Sequence, residues 1–225
     1  MIEAYFGKDG LRYNIGRIHM NSCDFALGNY TYIEDGDAEL KTFSIAHDEK
    51  EILPFLTDAI EKRKETYGED LTFLVSPWSP PAFHEDKRGN EPRRQVKGKN
   101  NYATWAAYFV KFIQAYRAKG INIRALTVQN EPAAVQTWDS CVYTAEEEAE
   151  FVGNYLGEAT GKSRSFGCGY FRVGPQQKRF YLSVSAPACR MKKQPNISKV
   201  LPYTGIPEII LRQLKWYKSS IQGQK

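Results

Sequence analysis

The sequence predicts an α/β fold whose strands run parallel, on three observations. Residues 1–160 alternate short apolar runs with amphipathic helical patterns, the order that yields parallel strands joined by right-handed crossovers. Each apolar run stops abruptly at polar or proline-rich punctuation. No internal repeat or low-complexity tract interrupts the alternation.

Each element has a local reason. Tyr13 to Met20 reads as a strand leading into Asn21-Ser22-Cys23-Asp24-Phe25. A helix from about Asp48 places Ile52, Leu53, Leu56, Ala59 and Ile60 on one face, with Pro54 tolerated near its first turn. Leu71 to Val75 is a short apolar strand, and Ser76-Pro77-Trp78-Ser79-Pro80-Pro81 ends it, so Trp78 falls on the loop beyond. Residues 85–101 form a long polar loop. The stripe Tyr102, Trp105, Phe109, Phe112, Ile113 and Tyr116 is a core-facing helix that Gly120 can cap. Ala125-Leu126-Thr127-Val128 is a buried strand ending at Asn130-Glu131-Pro132. Thr144 with Glu147 forms a capping box opening another helix, which Gly157 is expected to close.

Composition excludes several classes. At 225 residues with 42% apolar and 25% charged residues, the chain has the make-up of a globular protein, and no apolar run is long enough for a transmembrane segment. Met1 to Phe6 has neither the basic start nor the apolar centre of a signal peptide, which leaves localisation unassigned. Four cysteines without CxxC spacing and three scattered histidines argue against a zinc site or a disulfide framework; Cys23 and Cys141 read as small buried thiols. The net charge of +5 is unevenly placed, with 13 Lys/Arg against the single acid Glu208 in residues 161–225. A basic tail can bind nucleic acid, but this one carries no known nucleic-acid module, so a nucleic-acid partner is not expected.

Asp24, Trp78 and Asn130-Glu131 all follow strands directly. In a parallel α/β barrel such positions share one rim, where chemistry is found. Glycoside cleavage needs one carboxylic acid to protonate the leaving oxygen and a second as nucleophile or base. A buried acid keeps its proton near neutral pH, which suits Glu131, expected to be buried at its strand end, to the first role. Asn130 could donate to a sugar 2-OH, Trp78 could stack on the C–H face of a pyranose, and Asp24 could accept from hydroxyls. Each also has an ordinary reading: Asn-Glu-Pro as a turn, Trp78 as packing, Asp24 as a turn or cap.

Taken together, the strings Gly16-Arg17-Ile18, Ser22-Cys23-Asp24-Phe25, Tyr30-Thr31-Tyr32, Phe43-Ser44-Ile45, Ser76 to Pro81, Thr104-Trp105-Ala106 through Phe112, and Thr127-Val128-Gln129-Asn130-Glu131-Pro132 resemble glycoside hydrolase family 30, the glucosylceramidase-like retaining β-glycosidases. The resemblance spans roughly residues 3–157 in order. It implies a partial (β/α)8 TIM barrel, about strands two to four of eight, over residues 1–160, followed by an irregular basic tail over 161–225. It aligns Glu131 with the general acid/base, Asn130 with the neighbouring substrate-binding amide, Trp78 and Asp24 with sugar contacts, and Arg17 with an arginine of the barrel core. The implied reaction is hydrolysis of a β-glucosidic bond, as in glucosylceramide or another glycosphingolipid, with no metal and no organic cofactor. The alternative is a sugar-binding chain without catalysis.

The family's first barrel unit would precede Met1, and its nucleophilic glutamate would lie far beyond Glu131. Glu208, in Gly205-Ile206-Pro207-Glu208-Ile209-Ile210, resembles no strand-end nucleophile. Little or no turnover is therefore expected. Gly167 to Lys178 and Lys192 to Arg212 can be written in codons that, read in shifted frames, spell strings like the family's fifth and sixth strand regions. The tail is accordingly expected to be a frameshifted, poorly ordered segment.

Overall fold

The computed structural model describes residues 1–83, 99–132, 134, 136–162, 168–173 and 179–184. The elements run α1 (Ile2–Phe6), β1 (Ile15–Met20), α2 (Ala46–Glu51), α3 (Leu53–Tyr67), β2 (Thr72–Pro77), α4 (Lys99–Ala118), β3 (Ile123–Thr127), α5 (Ala145–Phe151), a π-turn (Val152–Leu156), α6 (Gly157–Lys162), β4 (Cys168–Val173) and β5 (Arg179–Val184). The sheet order is β1-β2-β3-β5-β4. β1 pairs β2 and β2 pairs β3 in parallel, as the alternation of elements requires. The β4–β5 hairpin lies along β3 in antiparallel sense, so the described part of the tail adds two strands to an open sheet. Glu208 lies outside the described residues, as does most of the 85–101 loop.

One sheet face is buried. Ile18, Met20, Phe73, Val75 and Leu126 join the aromatic stripe of α4 and the apolar face of α3 in a single core, where Trp105, Tyr108, Phe109, Phe112, Ile113 and Tyr116 are all buried. Gly16 permits the close approach of β1 to β2, because a Cβ there would lie 2.8 Å from the Phe73 ring. The opposite face carries Arg17 beside Leu74 and His19 beside Ser76, and Ile15 on it is 56% exposed. Water therefore reaches the face that a closed barrel would enclose.

A polar network threads this core. Asp48 is fully buried and accepts hydrogen bonds from Tyr32 Oη (2.5 Å) and Tyr116 Oη (2.6 Å). Tyr32 N donates to Tyr108 Oη at 2.8 Å, Tyr108 donates to Asn21 Oδ1, and Asn21 Nδ2 donates to the Ser79 carbonyl at 2.9 Å. Helix packing is thereby linked to the loop that follows β2. A buried carboxylate is tolerated only when it is hydrogen-bonded in this way.

The boundaries depart from expectation in several places: α4 begins at Lys99, inside the 85–101 stretch expected to be loop, and the helix expected from about Asp48 starts at Ala46 and breaks at Ile52 into α2 and α3. β2 continues through Pro77 because only its N–H is missing; its carbonyl still accepts from Asn130 N at 2.8 Å. Gly157 does not close the last helix, since its φ of −61° is right-handed and its N–H bonds to the Val152 carbonyl, five residues back. The helix passes through a π-turn and runs on to Lys162. The Thr144–Glu147 capping box is present, and Gly120 takes the left-handed φ of 80° expected of a cap.

Candidate active site

The carboxyl ends of β1, β2 and β3 lie side by side, and one guanidinium spans all three. Arg17 Nε donates to Ser76 Oγ at 3.0 Å, and Arg17 Nη2 donates to Asn130 Oδ1 at 2.7 Å. Its Cζ sits 5.0 Å from the centroid of the Trp78 ring. Thr127 Oγ1 donates to Ser76 Oγ at 2.9 Å, so the hydroxyl that holds the arginine is itself fixed by β3. A planar cation on an indole face and a bonded amide together make a rigid polar floor beside an aromatic wall.

Trp78 is half-buried, and its main chain is fastened to β3: Gln129 Nε2 donates to the Trp78 carbonyl at 2.5 Å. Gln129 is 2% exposed, and its Oε1 has no hydrogen-bond partner among the described residues. Asn130 lies next to it, half-buried with its side-chain oxygen on Arg17. Its Nδ2 is thus the end of the amide that does not face the arginine.

Glu131 leaves the strand at φ 47° and is exposed, which corrects the expectation that it is buried. The cause is local. The left-handed turn carries the chain away from the ladder, and no described element packs over it. Asp24 is exposed too, on the loop after β1, with Phe25 88% exposed beside it. The structure thus joins Arg17, Trp78 and Asn130 by direct contacts. Glu131 follows Asn130 at the same rim, and Asp24 stands apart on its own loop.

Three further side chains bind the rim together and carry no sequence signal strong enough to single them out. Asp139 accepts from Ser22 Oγ at 2.6 Å and from Ser79 Oγ at 2.9 Å. Cys23, next to Ser22, is buried and free, and burial pushes its thiol pKa up. Among the described residues, no group of three or more His, Cys, Asp or Glu is placed to hold a metal ion, and no helix is long and apolar enough to cross a membrane.

The model of the glycosyl hydrolase family 30 TIM-barrel domain matches residues 1–168. The chain belongs to that family. Among family 30 relatives, the lysosomal acid glucosylceramidase of Mus musculus is 30% identical over 172 residues, which are 72% of this chain and 33% of that protein. The crystal structure of SrfJ from Salmonella typhimurium superposes with a TM-score of 0.63 at 35% identity, covering 72% of this chain and 35% of SrfJ. A solved endo-β1,6-glucanase gives a TM-score of 0.61 at 29% identity, covering 72% of this chain and 36% of the enzyme. The chain therefore spans about a third of the length of the family 30 proteins it matches. The family fold resemblance read from the motifs and the partial barrel are both established by these matches.

Proposed function

We propose that this chain carries the acid/base half of a retaining β-glycosidase site, acting on β-glucosidic bonds. The observation that supports this reading most is the Arg17–Trp78–Asn130 contact set placed immediately before Glu131. Trp78 takes the apolar face of a sugar ring. Asn130, its oxygen held by Arg17, turns its N–H donors toward a hydroxyl, where a 2-OH contact strengthens in the transition state. Glu131 delivers a proton to the glycosidic oxygen and later takes one from water. Asp24 lies close enough in sequence to the rim to meet hydroxyls once its loop is occupied.

The names of two relatives support a glucoside as the substrate class. One is named as a glucosylceramidase and another as an endo-β1,6-glucanase. We favour the glucosylceramide type. The 225 residues, which span about a third of the length of the relatives they match, are by themselves expected to bind sugar with little turnover. Hydrolysis of a chromogenic β-glucoside by the purified chain, compared with Glu131→Gln, tests both points. No turnover by either protein, with sugar binding retained in both, supports the proposal. Turnover that survives Glu131→Gln removes Glu131 from its role.

The same reading takes the basic tail as codons read in a shifted frame, in keeping with a family match that ends at residue 168. The nucleotide sequence decides it: codons over 167–212 that cannot spell the family-like strings would end that idea.

A further inference from the structure

We propose that Asp139 is a positioning residue that clamps the three strand-exit loops together and so sets the spacing between Trp78 and the Glu131 turn. Its carboxylate reaches Ser22 Oγ after β1 at 2.6 Å and Ser79 Oγ after β2 at 2.9 Å, while Asp139 itself sits on the segment after β3. Each oxygen holds one loop. Both serines are almost wholly buried, at 2% and 3% exposure, and their bonds to the half-buried carboxylate are charge-assisted.

The lever on the site is short. Ser79 is the residue after Trp78, and its carbonyl is held separately by Asn21 Nδ2 at 2.9 Å. The segment bearing Asp139 is tied back to the Glu131 turn, since Tyr143 N donates to the Pro132 carbonyl at 2.8 Å. A pull on Asp139 is therefore transmitted to the indole from one side and to the acid-bearing turn from the other. Three loops converging on one half-buried carboxylate make a bridge that no backbone ladder supplies, because the strands have already ended there.

The link to sugar binding rests on the function proposed above, but the clamp itself does not, and the test separates them. Amide hydrogen exchange by mass spectrometry is followed in the full chain, in Asp139→Asn and in Ser22→Ala/Ser79→Ala. We expect exchange in segments 21–25 and 77–80 to rise about tenfold in both variants, with segment 105–117 of α4 unchanged. Adding Asp139→Asn to the double serine variant should cause no further rise, because its partners are already gone. Exchange unchanged in the two rim segments overturns the clamp. A rise spread equally over α4 overturns it as well, as the mark of a general loss of stability.

Methyl β-glucoside affinity is then measured by calorimetry in the same proteins. A fall of about tenfold in both variants is expected. An unchanged affinity with loosened loops refutes the positioning role. If the native chain binds no β-glucoside, the proposed function fails, and the exchange result still decides the clamp.

Discussion

Arg17 on the first strand and Asn130 beyond the third are joined by a 2.7 Å hydrogen bond, although 113 positions separate them in the chain. The guanidinium crosses β2 to make it, binding Ser76 Oγ on the way. Replacing Arg17 with Leu removes a partner from the buried Ser76 hydroxyl and from the Asn130 amide. The expected cost is about 1–3 kcal/mol, read as a lower urea midpoint at constant slope. Arg17→Lys should not restore the native midpoint, because an ammonium cannot reach two acceptors with a planar fork.

Asp48 offers a second test in the core. Asp48→Asn keeps the shape but weakens the bonds from Tyr32 and Tyr116 to a charged acceptor. A loss of about 2–3 kcal/mol is expected in equilibrium unfolding. A change within about 0.5 kcal/mol would mean that the two phenols find other acceptors.

The same phenols give a pH dependence. Burial foremost, and then the Asp48 carboxylate, raises the Tyr116 pKa well above its usual value, while burial and neighbouring phenols do so for Tyr32. Burial, with Glu147 and Glu150 beside it, pushes Tyr102 up to about 12. The folded chain thus holds protons that the unfolded chain releases near pH 10. Stability is present below that pH and falls as pH rises from about 10 toward 12. Tyrosinate absorbance should therefore appear together with loss of far-ultraviolet circular dichroism. Gradual ionisation of these phenols in a still-folded chain would contradict the assignment.

The Thr144 cap is testable in isolation. Thr144 accepts from Glu147 N at 3.2 Å, and Glu147 Oε2 accepts from Thr144 N at 2.7 Å. Thr144→Ala should cost about 1 kcal/mol in thermal or urea unfolding, and Thr144→Ser should recover most of it.

Periodicity carried most of the fold. The stripe through Trp105 and Tyr116, the Thr144–Glu147 box and the apolar runs Leu71–Val75 and Ala125–Val128 were legible because each is a local pattern. The antiparallel seat of β5 on β3 was not, since pairing across such a separation leaves no periodic trace in either segment. Within the candidate site, the rim positions of Trp78 and Asn130 were legible because strand ends and prolines mark them. Asp139 could not: it lies in an irregular segment whose importance comes only from two serines, 117 and 60 residues away. The exposure of Glu131 escaped for a related reason, because a left-handed φ at a non-glycine residue is fixed by surroundings rather than by residue type.

Calorimetric titration of a β-glucoside into the native chain, Trp78→Ala and Glu131→Gln tests the central claim most directly. The account predicts native binding, a loss of about 2 kcal/mol in Trp78→Ala, roughly thirtyfold, and near-native affinity in Glu131→Gln. Binding that ignores Trp78→Ala, or no binding by the native chain, would contradict it.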